Sequence, residues 1–238
     1  MKGWKIIALL LLVCSCGRAQ VKEYRVKVVN EYPHDTGAYT QGLFFHGGTL
    51  YETTGQYGES TLRTVDLRSG TPLSCQKFAR KYFVEGSVIL GDDLYILTWT
   101  NKVAFRYDAA TLAYKGTVGY PREGWGLTTD GKRLIASDGS SRLYFLDKTM
   151  KTEKTVQVTL NGSPVRYLNE LEWIDGRIWA NVYTTDLIVI INPSSGVVEA
   201  TVDCKGLLPG NLRGPGTDVL NGIALSKDGR IFLTGKNW

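Results

Sequence analysis

The side chains that could carry chemistry recur at matching positions of an internal repeat. Each repeat has a turn rich in glycine and aspartate, followed by an apolar residue that begins a short strand. Nine or ten positions before that residue lie Gln41, Glu85, Trp125, Asn169 and Asn221, and five positions after it lie Gly55, Trp99, Gly139, Tyr183 and Lys236. One carboxylate, one ammonium group, three carboxamides and three large aromatic rings fit a polar small-ligand site better than a core.

Several other kinds of chemistry have no support in the sequence. His34 and His46 are the two histidines, so no multi-histidine metal site can form, and HExxH, CxxC and GxSxG motifs are absent from the 238 residues. We therefore expect no metal site. The basic residues are scattered, and without the N-terminal segment the net charge is +3, which gives no nucleic-acid surface.

The repeat itself predicts the elements that position these side chains. Its apolar residues are separated by 44, 40, 44 and 53 positions: Leu50, Leu94, Leu134, Ile178 and Ile231. A short apolar run precedes each turn, so each pair of runs forms a hairpin, and each unit of 40 to 50 residues holds about four strands. Radial repetition covers both faces of such small sheets, which predicts an all-β, five-bladed β-propeller. An open sandwich is the alternative, but it does not explain a fixed period.

Closure of the ring involves both ends of the chain. The segment 24–32 (YRVKVVNEY) alternates polar and apolar residues, and we expect it to complete the last blade as an N-terminal strand. The sequence stops at Trp238, directly after the fifth hairpin, so the last blade is either short or truncated. Lys236 therefore lies beside a chain end, where fraying is common.

The N-terminal residues predict export. Lys2 and Lys5 precede an apolar run, 6–13, that is too short for a transmembrane helix but typical of a signal peptide. The run ends at a lipoprotein-like box in which Cys16 follows Ser15. We expect a signal peptide at 1–15, a linker at 16–23 after lipidated Cys16, and one propeller domain at 24–238. This predicts a periplasmic lipoprotein of the bacterial envelope, anchored in the inner or outer membrane; an ordinary secreted protein is the alternative.

Two cysteines remain in the mature chain, Cys75 and Cys204. They occupy matching outer positions of non-adjacent repeats, too far apart for the roughly 7 Å Cα separation that a disulfide allows. We expect two free, buried thiols.

Five stretches, in order along the chain, resemble a known enzyme family: YPHDTGAYTQGL (32–43), YFVEGSVIL (82–90), GWGLTTDGKRLIASDG (124–139), LNELEWIDGRIWANVY (168–183) and LNGIALSKDGRIFLTGKNW (220–238). They are similar to the glutaminyl-peptide cyclotransferases of the plant and bacterial propeller type. The resemblance implies five blades and conversion of the N-terminal glutamine of peptides or proteins to pyroglutamate, with release of ammonia. It also implies no required cofactor, and it leaves room for a structural cation in the central channel.

The resemblance carries over residue by residue. The positions that match are Gln41, Phe83, Glu85, Trp99, Trp125, Asn169 and Lys236. Tyr39 stands where the family often has phenylalanine, and Tyr183 stands where tryptophan is expected, which loosens one pocket wall. We expect Glu85, Asn169 and Lys236 to be catalytic, and Tyr39, Gln41, Phe83, Trp99, Trp125, Tyr183 and Asn221 to bind substrate.

The expected mechanism needs no protein nucleophile, because the α-amine of the substrate attacks its own γ-carboxamide. Glu85 would transfer the proton, and Lys236 with Asn169 would stabilise the oxyanion. The expected partners are substrates with N-terminal glutamine, and the expected state is a monomer that meets the membrane only through its lipid anchor. A non-catalytic, lipid-anchored binding propeller is the main alternative. A propeller lactonase or hydrolase ranks third, because it would need more carboxylates at the mouth than Glu85.

Overall fold

The computed structural model describes residues 20–238, and its regular structure there is almost entirely β-strand. The elements in chain order are β1 (Lys22–Arg25), β2 (Thr40–His46), β3 (Thr49–Thr54), β4 (Thr61–Val65), β5 (Pro72–Lys77), β6 (Val84–Leu90), β7 (Asp93–Thr98), β8 (Val103–Asp108), β9 (Tyr114–Gly119), β10 (Leu127–Thr129), β11 (Leu134–Ser137), β12 (Arg142–Leu146), β13 (Thr152–Gln157), β14 (Thr159–Leu160), β15 (Ser163–Pro164), β16 (Leu168–Ile174), β17 (Arg177–Val182), β18 (Leu187–Ile191), β19 (Val198–Asp203), a short 3-10 helix (Gly210–Leu212), β20 (Leu220–Leu225) and β21 (Ile231–Gly235).

The strands form an all-β propeller, which confirms the predicted fold class. Four blades have four antiparallel strands each: β2–β5, β6–β9, β10–β13 and β16–β19. The hairpin β20–β21 is a separate two-stranded sheet that packs against β2 and β16, and β14–β15 is a small hairpin between the third and fourth blades. The described residues therefore contain four complete blades, fewer than the five that the repeats predicted.

The predicted hairpins are all present, because their turns carry residues that adopt left-handed backbone conformations. The turn between β16 and β17 is an example, with φ of 47° at Asp175 and 74° at Gly176. Positive φ at both central residues matches the right-handed twist of the flanking strands. The apolar residue after the turn is buried in the four complete blades, whereas Ile231 of β21 is 40% exposed.

The core consists of five apolar clusters, each lying between neighbouring sheets. Three clusters lie between successive complete blades. The fourth joins the fourth blade to β20–β21, and the fifth joins β20–β21 to the first blade, with Ala224 on one side and residues such as Leu43 on the other. Burial of apolar surface at these five seams holds the sheets around a common channel.

The innermost strand is irregular near its start in the first, second and fourth blades and in the sheet β20–β21. The pairing register shifts at this point in β2, β6, β16 and β20. Such bulges twist a strand and re-aim its side chains. The residues at these shifts are Gln41, Glu85, Asn169 and Asn221. The bulges therefore direct the polar side chains that the repeats aligned.

A glycine follows the aligned residue in most of the inner strands and permits close approach of the next strand. A Cβ at Gly86 would lie 2.5 Å from the Leu127 amide nitrogen, and a Cβ at Gly126 would overlap the carbonyl oxygen of Asn169. In the fourth blade this position is Glu170. Its buried carboxylate accepts the Leu43 amide at 3.3 Å and the Ile223 amide at 2.9 Å, so it connects three sheets across the channel.

Gly126→Ala is expected to lower the free energy of unfolding by about 1–3 kcal/mol, because the new methyl group meets backbone that cannot move aside. Urea denaturation monitored by circular dichroism measures the loss. Gly119→Ala is the matched control: nothing lies within 4 Å of a Cβ there, and the change should stay within about 0.5 kcal/mol of wild type. Equal stability of the two variants would contradict the close packing of the inner strands.

The prediction that the N-terminal strand completes the last blade is wrong. Of the alternating segment 24–32, only Tyr24 and Arg25 lie in a strand, β1, and β1 pairs in parallel with β19, the outermost strand of the fourth blade. The outermost strand of a blade pairs with the third strand of that blade. In the described residues the sheet β20–β21 has two strands, so it offers β1 no third strand to pair with. The predicted linker, 16–23, accordingly overlaps the start of β1 at Lys22.

Two further sequence predictions concern cysteines and the N-terminus. Cys75 and Cys204 are free, as expected, but Cys75 is exposed on the outer strand β5 and only Cys204 is buried. The predicted signal peptide and Cys16 lie outside the described residues. Within 20–238, no helix has the length and apolar character that a membrane span requires.

Candidate active site

Seven side chains form a closed chain of contacts around one end of the central channel, where the inner strands begin. This mouth ring consists of Phe83, Trp99, Glu123, Trp125, Tyr183, Lys236 and Tyr39. All seven lie in the residues that immediately precede an inner strand or follow its hairpin partner. The antiparallel hairpins bring these two kinds of position to the same end of each blade.

One half of the mouth ring is built from aromatic rings and one carboxylate. Trp99 packs edge-to-face on Phe83 with centroids 5.5 Å apart, and Trp125 packs edge-to-face on Tyr183 at 5.6 Å. Glu123 lies between the two tryptophans and accepts both indole N–H groups on Oε2, at 2.9 Å from Trp99 and 3.2 Å from Trp125. The result is a continuous wall across two blades.

The other half is organised around a buried ammonium group. Lys236 Nζ lies 4.8 Å from the ring centroid of Tyr183 and 4.8 Å from that of Tyr39, so the cation is held between two aromatic faces. The Tyr39 hydroxyl donates to Asp218 at 2.8 Å, and the ring of Tyr39 is perpendicular to Phe83 at 6.1 Å. These contacts close the ring.

Glu85 lies beneath the mouth ring at the start of β6. It is 5% exposed, whereas Trp99 in the ring is 36% exposed, so the carboxylate is at the bottom of the depression. Gln41 Nε2 donates to Glu85 Oε1 at 3.1 Å, and Gln41 Oε1 accepts from Asn221 Nδ2 at 3.3 Å. Asn221 is fixed in turn by its bond to the Thr40 carbonyl at 2.9 Å. This relay orients the carboxylate and leaves Oε2 available.

The burial of Glu85 and Lys236 changes their acidities in opposite directions. Burial raises the pKa of Glu85 well above its ordinary value of 4.5, the charge of Lys236 partly offsets that rise, and Glu123 adds to it. Burial lowers the pKa of Lys236, and the charges of Glu85 and Asp218 oppose the decrease. Burial therefore moves the pKa of each group from its ordinary value toward neutral pH, the range in which a side chain exchanges protons most effectively.

Asn169 occupies the equivalent place in β16. It is buried, and its side-chain Oδ1 has no hydrogen-bond partner among the described residues. An unpaired buried acceptor is rare and costly, because it has lost its bonds to water without gaining others. The side chain is therefore suited to bonding a ligand.

The residues around Lys236 are anchored by hydrogen bonds, although their place beside a chain end is one where fraying is common. The Asn237 amide donates to the Ala38 carbonyl at 2.8 Å, and Trp238 Nε1 donates to the Asp218 carbonyl at 2.9 Å. His34 Nδ1 lies 2.9 Å from the Trp238 carbonyl oxygen. These bonds hold Lys236 in register with the first blade.

Two residues at the mouth were missed by the sequence analysis, Glu123 and Asp218. Neither occupies the two repeat positions that were aligned, because each lies in the loop just before an inner strand. Glu123 lies two residues before the aligned Trp125, and Asp218 lies three residues before the aligned Asn221. A search for charged residues at that distance would have found both.

The described part of the chain offers no evident metal centre. Within 20–238, no cluster of three or more histidine, cysteine, aspartate or glutamate side chains is arranged to hold a metal ion. What the mouth provides is an aromatic pocket with one buried acid, one buried cation and several amides, which suits acid–base chemistry on a small polar group.

The fold and the pocket at the channel mouth place the protein among β-propellers that act on small ligands, and similarity to known proteins identifies its family. The chain belongs to the glutamine cyclotransferase family, whose sequence model matches residues 6–238. It is 45% identical over 219 residues to the glutaminyl-peptide cyclotransferase of Arabidopsis thaliana, covering 90% of this chain and 68% of that protein. The structure is also similar to that of Myxococcus xanthus glutaminyl cyclase, with a TM-score of 0.86, 36% identity, and coverage of 92% of this chain and 95% of that one.

Proposed function

We propose that this protein cyclises the N-terminal glutamine of peptides or proteins to pyroglutamate at the mouth ring, with release of ammonia. The observation that supports the site most strongly is the buried Glu85, oriented by Gln41 beneath an aromatic ring that also contains the ammonium group of Lys236. The proposed reaction is that of the family, and the site contains the acidic, cationic and aromatic groups that this reaction needs.

The first requirement is a folded substrate side chain. The α-amine must reach the γ-carboxamide carbon of the same residue, which closes a five-membered ring. Walls formed by Phe83, Trp99 and Trp125 exclude extended conformations of the glutamine, and Tyr183 adds a smaller face than the expected tryptophan. Holding two reacting groups together in this way contributes several kcal/mol to catalysis.

Glu85 moves the proton. Its carboxylate takes a proton from the attacking α-amine and delivers it to the nitrogen that leaves as ammonia, so the enzyme ends the cycle unchanged. Gln41 has a supporting role here, because its bond to Oε1 leaves Oε2 to face the substrate. A raised pKa favours the second half of this task, in which Glu85 acts as an acid.

Lys236 and Asn169 stabilise the charge that develops on the carboxamide oxygen. In the tetrahedral intermediate this oxygen is an anion, and preorganised donors in a dry site stabilise it strongly. Lys236 Nζ is held in place by two aromatic faces. In Asn169 the donor to the oxyanion is the Nδ2–H group, whereas the unpaired Oδ1 is an acceptor, suited to the N–H of the α-amine.

We further propose that β20–β21 serves as the inner half of a fifth blade. The two-stranded sheet fills the gap between the fourth and first blades, supplies Asn221 and Lys236, and seals two of the five apolar seams. Only the inner strands of a blade reach the channel, so two strands suffice for the site.

The proposed activity is tested with purified residues 20–238, a short peptide with N-terminal glutamine, and excess chelator. Ammonia release and the peptide mass are followed together. We expect ammonia to be released at the same rate as the peptide loses the mass of one ammonia molecule. The same peptide with an acetylated N-terminus should not react, because its amine cannot attack. Ammonia from the acetylated peptide would indicate simple amide hydrolysis and overturn the proposal.

We also propose that the protein is a lipoprotein of the bacterial envelope, on the basis of the Cys16 box. In a bacterial host, the full chain should partition with membranes, and Cys16→Ser should release it to the soluble fraction. Cys14→Ser is the matched control and should remain with membranes. A Cys16→Ser variant that still sediments with membranes would contradict the assignment.

A further inference from the structure

Glu123 makes two hydrogen bonds that nothing in the proposed chemistry requires of it. The residue lies in the loop between β9 and β10, with an exposed side chain. Its Oε2 accepts the indole N–H of Trp99 at 2.9 Å and that of Trp125 at 3.2 Å. Because both bonds end on the same oxygen, Oε1 remains free at the mouth.

The two tryptophans come from different blades. Trp99 follows β7 of the second blade, and Trp125 precedes β10 of the third. Each indole packs edge-to-face on a different partner, Phe83 for Trp99 and Tyr183 for Trp125. Among the contacts of the mouth ring, Glu123 alone joins the two indoles, so the continuity of this wall depends on one carboxylate.

We propose that Glu123 is a positioning residue for the cyclisation: it fixes the two indoles as a single pocket wall and places a negative charge beside the proton-transferring Glu85. This inference rests on the proposed function. Hydrogen bonds to a charged acceptor are stronger than neutral ones. Because both indole N–H groups donate to the same carboxylate, the orientations of the two rings are coupled.

The charge of Glu123 also reaches the reacting groups. The groups that face Glu85 from the surrounding elements are Lys236 after β21, Tyr39 before β2, Tyr183 after β17 and Glu123 before β10. Lys236 lowers the pKa of Glu85, whereas Glu123 raises it. Neutralising Glu123 should therefore make Glu85 ionise at lower pH.

Two substitutions separate the two roles. Glu123→Ala removes both the bonds and the charge, and we expect kcat/KM to fall about 10–100-fold through misplacement of the wall. Glu123→Gln keeps an acceptor oxygen for the indoles. It should retain kcat/KM within about fivefold at high pH, since neutral hydrogen bonds have roughly half the strength. Its acidic limb should move to lower pH. Glu153→Ala, an exposed carboxylate on β13, is the control for charge alone.

A readout that does not depend on turnover keeps this inference distinct from the proposed function. In ¹⁵N-labelled protein, the indole N–H signals of Trp99 and Trp125 should both shift in Glu123→Ala and stay near their wild-type positions in Glu123→Gln and Glu153→Ala. Unshifted signals in Glu123→Ala, or kinetics equal to wild type, would overturn the positioning role. If wild type itself shows no turnover, the proposed function fails, and the indole signals still decide whether Glu123 holds the wall.

Discussion

Glu85→Gln is expected to lower kcat by about 10²–10⁴-fold, the range that a general acid–base group contributes. The amide has nearly the shape of the carboxylate, but it can neither accept the proton of the α-amine nor return it to ammonia. KM should change little, because the aromatic walls and amides that hold the substrate are untouched. Steady-state kinetics on a glutamine peptide measure both constants.

The matched control for Glu85→Gln is Glu172→Gln. Glu172 is also buried in an inner strand, but its carboxylate accepts the Leu225 amide and does not reach the mouth ring. We expect Glu172→Gln to keep most of the activity. If Glu85→Gln turned over at near the wild-type rate while remaining folded, Glu85 would not be the proton-transfer group.

Lys236→Met should lower kcat by about 10²–10³-fold, as the loss of one oxyanion donor does, with a smaller effect on KM. Methionine fills much of the same space between Tyr39 and Tyr183, so the change is chiefly one of charge. The matched control is Lys132→Met in the exposed turn between β10 and β11, which should be unaffected. A rise in KM with unchanged kcat would instead make Lys236 a residue of ground-state binding.

The same variant has a signed effect on pH dependence. Glu85 must be ionised to accept a proton, so kcat/KM falls as the pH drops through the raised pKa of Glu85. Lys236 lowers that pKa, and its removal should shift the acidic limb to higher pH. Glu123→Gln should shift it to lower pH. If the two substitutions shift the acidic limb in opposite directions, the titrating group is one that interacts with both charges, as Glu85 does.

The sequence predicted what is local and repeated. Each hairpin carries its own turn signal and apolar residue, so β2–β3 and its four counterparts could be found one at a time. Aligning them also brought Gln41, Glu85 and Asn221 to one position, and the structure joins these three by hydrogen bonds. A propeller repeats one geometry, so matching positions in sequence become neighbours around the channel.

The rest could not be predicted because it depends on non-local pairing or on loops. β1 pairs with β19, which is distant in the sequence. The edge of β19 that accepts β1 exists only once the fourth blade has folded. Cys75 is exposed because β5 is an outer strand with solvent on much of its surface, a distinction that a repeat position does not carry. Glu123 acts through a loop outside the aligned hairpins.

The most direct test of the proposed site is a crystal structure of Glu85→Gln with an uncyclised peptide that begins with glutamine. We predict that its first side chain lies folded inside the mouth ring, with the carboxamide oxygen toward Lys236 and Asn169. Its α-amine should face residue 85. A peptide bound elsewhere on the propeller, or a glutamine side chain extended away from residue 85, would contradict cyclisation at the channel mouth.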